Sequence, residues 1–219
     1  RDESDMTLEG FLLFLDPPKK DAGAAIQALA DLKVGLKIIT GDNRYVAKHV
    51  ADAVGMPVEG VMTGAELAGL GDEALMHQAA HTTLFVEVDP NQKERIIRAL
   101  QKMGHVVGYM GDGINDAPVL AMADVGIAMG GLGSDAAIEA ADIVLMTDEL
   151  SKINEAIDIA AFTKKIVWQN IIFALGVKTI FLLLGTLGIA GMWEAVFADV
   201  GVSILAILNS IRVLRYKGA

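Results

Sequence analysis

Asp112 and Asp116 flank Asn115 in the stretch Met110-Gly111-Asp112-Gly113-Ile114-Asn115-Asp116-Ala117-Pro118. Two carboxylates and an amide this close together offer hard oxygen ligands, which Mg2+ takes while keeping several of its waters. The glycines beside Asp112 let backbone approach a phosphate closely. Elsewhere Thr40, in Thr40-Gly41-Asp42, offers a hydroxyl, and Lys93 an ammonium. A hydroxyl, an ammonium and a carboxylate-held Mg2+ neutralise the oxygens of a transferring phosphoryl group and hold it in line. Phosphoryl chemistry is the reaction class that these residues point to.

Such groups act together only if a scaffold brings them to one rim, and each follows an apolar run or opens a helix after one. Gly10 to Leu15 reads as a strand ended by Asp16-Pro17-Pro18, Leu36 to Ile39 as the strand before Thr40, and Thr83 to Val88 as the strand before a helix over 90–102 that carries Lys93. His105 to Tyr109, with Val106 and Val107, reads as the buried strand before Asp112. Helices are predicted over 19–33, where Ala22, Ala25, Ile26, Leu29 and Leu32 recur at helical spacing, and over 43–54. Asn115 or Asp116 is placed to cap a helix over 119–123 that Pro118 helps start. A strand over 125–129, a helix over 135–141 and a strand over 143–146 complete the set. One helix over 65–80 is expected inside a surface insertion. Alternating strands and helices predict an α/β fold: a parallel sheet with right-handed crossovers and helices on both faces. Its chemistry belongs at the carboxyl ends of the strands. Gly130-Gly131-Leu132-Gly133 reads as a flexible turn, because its spacing does not match a dinucleotide fingerprint.

After the helix predicted over 151–165 the composition changes. Hydrophobic residues make up 53% of the 219 residues, and they concentrate beyond Ile166. Ile171 to Ala190 is about 20 residues, enough to cross a bilayer core, with Lys178 its one ionisable residue. Trp193 to Ile211 is a second apolar span holding Glu194 and Asp199, and Gly188 to Gly191 is the turn between them. Lys164 and Lys165 precede the pair, and Arg212, Arg215 and Lys217 follow it, so the positive-inside rule puts both ends of the hairpin in the cytoplasm. Membrane lipid is therefore an expected partner. A net charge of −10 argues against nucleic acid as a partner. The absence of cysteine excludes a disulfide framework, a catalytic thiol and a thiolate metal site. The opening Arg1-Asp2-Glu3-Ser4-Asp5 has no signal-peptide layout and reads as the interior of a longer chain.

Thr40-Gly41-Asp42, Asp89-Pro90 followed by Lys93, and Gly111-Asp112-Gly113-Ile114-Asn115-Asp116 together resemble the phosphorylation domain of P-type cation-transporting ATPases, members of the haloacid dehalogenase-like superfamily. Asp16-Pro17-Pro18 fits the same family. The resemblance implies that residues 1–150 form a haloacid dehalogenase-like domain, 151–165 a connecting helix and 166–215 two transmembrane helices. It implies that Thr40 and Lys93 contact the phosphoryl group, with Gly41 and Asp42 in the same motif. Asp112 would coordinate Mg2+, with Asn115 and Asp116 completing the site, and ATP would be the substrate of the full pump. The family's phosphorylated aspartate lies in Asp-Lys-Thr-Gly-Thr, a string absent here, so the 219 residues alone are expected to hydrolyse no ATP, and the remaining domains of the same pump are implied partners.

Gly176-Val177-Lys178, Ala198-Asp199-Val200-Gly201 and Asn209-Ser210-Ile211-Arg212 are similar to the zinc/cadmium/lead branch of the heavy-metal pumps. Asp199 is then expected to ligate the transported divalent cation, with Lys178 as counter-charge, since a carboxylate inside a span is costly and usually functional. The first half, with Glu3-Ser4-Asp5, Leu15-Asp16-Pro17-Pro18-Lys19 and Thr82-Thr83-Leu84-Phe85, looks more like magnesium-transporting P-type ATPases. A magnesium or other cation pump is one alternative. A soluble haloacid dehalogenase-like phosphatase is another, but it would need a nucleophilic Asp-x-Asp at the end of the first strand, where Asp16 is followed by two prolines.

Overall fold

The computed structural model describes residue 10 and residues 18–131, 133–147 and 149–216. The first predicted strand, apart from Gly10, and Asp16 lie outside the described residues. The chain divides into two compact units, Arg1–Val144 and Leu145–Ala219.

The first unit opens with α1 (Ala22–Asp31), which buries Ala22, Ala25 and Leu29. β1 (Ile38–Ile39) leads to Thr40. In α2 (Arg44–Ala53) the Asn43 side chain accepts the N–H groups of Tyr45 and Val46, both at 3.0 Å, satisfying donors that the helix leaves open. Next comes a strand that periodicity had not revealed, β2 (Val61–Thr63). The single helix expected over 65–80 is two, α3 (Gly64–Ala68) and α4 (Asp72–His81). Thr63 and Glu66 form a capping box that starts α3, and Gly69-Leu70-Gly71 interrupts it, with Gly71 as the cap of α4. β3 (Leu84–Val86) is fully buried. α5 (Pro90–Lys102) starts where Asp89 and Gln92 cap each other and proline takes the first helical position.

β4 (Gly108–Gly111) sits later than the apolar run over 105–109, because Asp124 accepts the N–H of Val107 outside the ladder and pairing begins at Gly108. A 3-10 turn over Ile114–Asp116 then enters α6 (Ala117–Met122). Asp116 is the cap residue of α6 but its side chain makes no cap bond, being engaged elsewhere. β5 (Val125–Met129), α7 (Asp135–Ala140) and β6 (Ile143–Leu145) finish the alternation.

The parallel sheet is built as two three-stranded sheets, ordered β1-β3-β2 and β4-β5-β6. β1 and β2 both pair with β3 in parallel, Ile39 and Met62 each opposite Phe85, while β4 and β5 pair Met110 with Ile127. One core serves both sheets: Met62 and Phe85 from the first and Tyr109 and Ala128 from the second meet Ile96, Ile97 and Leu100 of α5 and Val119 and Leu120 of α6. Among the described residues, the strands that carry Thr40 and Asp112 at their carboxyl ends, β1 and β4, lie at the edges of their sheets.

The second unit is dominated by α8 (Lys152–Thr186), an unbroken helix of 35 residues. At 1.5 Å per residue it is about 52 Å long, against a hydrocarbon core of about 30 Å. The helix predicted over 151–165 and the first span are thus one rod: no proline lies between Lys152 and Thr186, and the first glycine is Gly176. Gly188, at φ +72°, makes the turn in a conformation that glycine adopts without strain. The return is α9 (Met192–Val196), a π-helical turn over Phe197–Gly201, α10 (Val202–Ser210) and a 3-10 turn over Ile211–Arg215. Both rods are long and apolar enough to cross a membrane, and their large side chains are exposed, Ile172 at 66% and Leu182 at 69% among them. A core helix of a water-soluble protein would bury that surface.

Candidate functional site

In α5, the Asp89 cap fixes the first turn and Lys93 follows one turn later on the same face. Its Nζ donates to Asp116 Oδ1 at 2.8 Å, in a pair whose side chains are 16% and 12% exposed. The same oxygen accepts the Tyr109 hydroxyl at 2.7 Å, while Oδ2 accepts the Gly113 N–H at 3.3 Å. Burial alone would raise the Asp116 carboxyl, but the bonds from Lys93 and Tyr109, the Lys93 charge and the Gly113 N–H outweigh it, and its pKa falls below the ordinary value. Tyr109 moves the other way: burial, the bond to Asp116 and the charges of Asp116 and Asp112 push its phenol well up, so it remains a donor at any working pH.

Gly111 makes this packing possible. A Cβ there would lie 2.7 Å from Asp116 Cβ and 2.9 Å from its Cγ. The first glycine of the motif therefore gives the buried carboxylate room.

Asp112 and Asn115 are exposed beside this pair. Neither side chain has a hydrogen bond or ion pair among the described residues, whereas the Asp112 carbonyl accepts the Ser134 N–H at 2.9 Å. An unengaged carboxylate with an amide oxygen on the same turn suits Mg2+, which binds through one or two carboxylates plus waters and phosphate oxygens. Asp116 differs from them, since both its oxygens already have donors from the chain.

Thr40 closes β1. Its hydroxyl donates to Asp42 Oδ2 at 2.9 Å and accepts the Asp42 N–H at 3.1 Å, an exposed and self-contained turn. Its backbone ties to the segment leading into α5: Thr40 N–H donates to Phe85 O at 2.9 Å, and Val88 N–H to Thr40 O at 3.1 Å. Between these, Glu87 holds φ +56°, rare for a side chain of that size, with its N–H on Asp42 O at 2.9 Å. Gly41 passes Val88, where a Cβ would stand 3.6 Å from the carbonyl oxygen. The structure thus joins Lys93 to Asp116 through side chains and Thr40 to the entry of α5 through backbone.

In the second unit Lys178 Nζ lies 2.8 Å from Asp199 Oδ1. Asp199 sits in the π-helical turn, and its carbonyl accepts the Ser203 hydroxyl at 2.8 Å. Such turns are rare and occur frequently at functional sites. A second tie joins the same two rods. Asn170 Nδ2 donates to Ala206 O at 3.1 Å and to Ser210 Oγ at 3.0 Å, and Asn209 Nδ2 donates to Asn170 Oδ1 at 2.8 Å. Arg212 donates to Asn209 Oδ1 at 3.0 Å. A third is the stack of Phe162 on Tyr216, with ring centres 4.3 Å apart and planes 9° from parallel.

Sequence reasoning missed Tyr109, which it used only as a strand residue. A signal was present: in a strand, residues 109 and 111 share a face, and a buried phenol needs a partner, which points it at the loop carboxylates.

A family profile of haloacid dehalogenase-like hydrolases matches residues 2–124. The chain is 49% identical over 220 aligned residues to the cadmium, zinc and cobalt-transporting ATPase of Bacillus subtilis (strain 168), covering 97% of this chain and 27% of that protein. It is 48% identical over 156 residues to the magnesium-transporting ATPase, P-type 1, of Salmonella typhimurium (strain 14028s / SGSC 2262), covering 71% of this chain and 17% of the relative. Among solved structures it resembles a zinc-transporting PIB-type ATPase in the E2.Pi state, with a TM-score of 0.75 and 34% identity over 91% of this chain and 28% of the other. The chain spans between 17% and 28% of these proteins' lengths. With the sheets, the loop carboxylates and the two apolar rods in place, the chain belongs to the haloacid dehalogenase-like hydrolase family, and its relatives are P-type ATPases.

Proposed function

We propose that this chain is part of an ATP-driven P-type pump for divalent heavy-metal cations of the zinc and cadmium class. The observation that carries this reading is the Lys178–Asp199 ion pair inside the apolar rods. Within membrane spans a carboxylate and an ammonium are expensive, and they mark ion pathways more often than they support packing. Asp199 is the candidate ligand of the transported ion, and Lys178 neutralises it when the ion has gone. Basic residues at both ends of the hairpin favour a cytoplasmic face for the α/β unit.

In the first unit, Lys93 donates to an oxygen of the phosphoryl group while Asp116 and Tyr109 fix the ammonium's position. Thr40 exchanges its bond to Asp42 for a second phosphoryl oxygen. Asp112 and Asn115 hold Mg2+, which when bound offsets phosphate charge. Asp116 holds Lys93 in place through Oδ1, and Oδ2, which accepts only the Gly113 N–H at 3.3 Å, keeps a lone pair with which to complete the Mg2+ site. The aspartate that accepts the phosphoryl group would come from another part of the pump, as would the groups that bind ATP. Among the described residues β1 and β4 stand at the edges of their sheets, where a strand carrying that aspartate could add.

A magnesium pump is the second reading, favoured by the 48% identity to a magnesium-transporting ATPase. The test uses the parent pump reconstituted in lipid vesicles. Zn2+ or Cd2+ should stimulate its ATP hydrolysis, Asp199→Ala should remove that stimulation, and Lys93→Ala should remove hydrolysis itself. Hydrolysis by the Asp199→Ala pump that still responds to Zn2+ would overturn the heavy-metal assignment, and the 219-residue chain alone should turn over no ATP.

A further inference from the structure

α4 carries His77 and His81, one helical turn apart, both exposed. Their ring centres are 5.8 Å apart and their planes 53° from parallel. An ion about 2.0–2.1 Å from a nitrogen of each imidazole puts the ring centres at most about 6 Å apart, so rotation of the two exposed side chains suffices to bring a nitrogen of each to one ion. Both rings line a cleft of about 630 Å3, whose other wall includes Glu66. The N–H and hydroxyl of Thr63 hold the Glu66 carboxyl below its ordinary pKa, so negative charge persists there. His81 is also the last residue of α4, where the helix dipole favours a cation. Lys37 donates to the carbonyls of Ala80 and Thr82, at 3.2 and 2.6 Å, and so takes up backbone acceptors at this helix end while leaving the imidazoles alone.

We propose that His77 and His81 form a two-imidazole chelate for one divalent transition-metal cation of the Zn2+, Co2+ or Ni2+ class, with water completing the coordination. The site is separate from Asp112 and from the Lys178–Asp199 pair, and its chemistry differs from both. Imidazole nitrogen suits transition metals, whereas Mg2+ requires oxygen, so millimolar Mg2+ does not compete. α4 packs through Leu75 and Ala79, both 0% exposed, so the histidines are free of any core duty. Occupancy would clip the last two turns of α4 together and stabilise them by mass action.

The test is calorimetric titration of the untagged 219-residue chain in detergent with Ni2+, in excess Mg2+. His77→Ala and His81→Ala should each weaken binding about tenfold or more. His49→Ala and His105→Ala should leave it unchanged. In the unaltered chain, Zn2+ should shield His77 and His81 from diethyl pyrocarbonate and leave the exposed His49 and His105 reactive. Equal labelling of all four, or titrations of the His77 and His81 variants that match the parent, would overturn the proposal.

Discussion

Replacing Tyr109 by Phe deletes one hydroxyl from a buried three-donor cluster. The phenol donates at 2.7 Å to an oxygen that Lys93 also holds at 2.8 Å. No orphan donor is left behind, and Asp116 keeps Lys93 and the Gly113 N–H, so the cost is that of one hydrogen bond to a charged acceptor, about 1.5–3 kcal/mol. The phenol lowers the carboxyl pKa in the folded protein. A carboxyl depressed on folding contributes stability above its unfolded pKa of about 3.9, and this is lost as pH falls through the folded value. Below that point the bond joins two neutral groups and is worth about 0.5–1.5 kcal/mol. The variant's deficit should therefore be largest at neutral pH and shrink in acid. Amide hydrogen exchange of the full chain in detergent, followed over residues 108–111, reads the opening free energy locally. At pH 7 exchange should be about 10- to 150-fold faster in the variant, narrowing to about tenfold or less once acid has protonated the Asp116 carboxyl, when both proteins are compared at the same pH. An unchanged rate at pH 7, or a deficit that does not change with pH, would refute the assignment of Tyr109 to the Asp116 carboxylate.

Three other substitutions test separate parts of the structure. Gly111→Ala drives a Cβ to 2.7 Å from Asp116 Cβ, so it should cost about 1–3 kcal/mol by overpacking and, in the parent pump, lower ATP hydrolysis through displacement of Lys93. Gly126→Ala places a Cβ 2.6 Å from the Leu120 backbone oxygen, which cannot swing aside; a similar loss of about 1–3 kcal/mol should appear in thermal melting, without the effect on Lys93. Asn170→Ala removes donors to Ala206 and Ser210 and the acceptor of Asn209, and should weaken the pairing of the two rods by about 1–2 kcal/mol in detergent. Asn209→Ala made on top of it should cost less than alone, as a double-mutant cycle would measure.

Elements whose signals are local were readable in the amino-acid order. α5 begins at Pro90 and ends at Lys102 as its capping residues dictate, and β5 spans Val125 to Met129 as its apolar run does. β2 escaped notice because three residues bounded by Gly60 and Gly64 show no period, and its pairing with β3 comes from sequence-distant Leu84 to Val86. The division of α3 from α4 was written in Gly69 and Gly71, but the apolar positions on either side continue at helical spacing and masked it. The residues of the loop over 110–118 were identifiable by type, whereas which oxygen of Asp116 meets which donor depends on how β4, α5 and the 3-10 turn pack. The same holds for Asn170 and Asn209, 39 positions apart and 2.8 Å from each other in space.

Because α8 runs from Lys152 to Thr186 without a proline or a break, its two ends are locked in angular phase. Each residue advances the helix by about 100°. A single residue inserted near position 158 would turn the first turns of the helix by that angle relative to Lys178, whereas an insertion of seven would restore the facing to within about 20°. Tolerance of seven-residue but not one-residue insertions in the parent pump would show that the rod conveys torsion as well as distance.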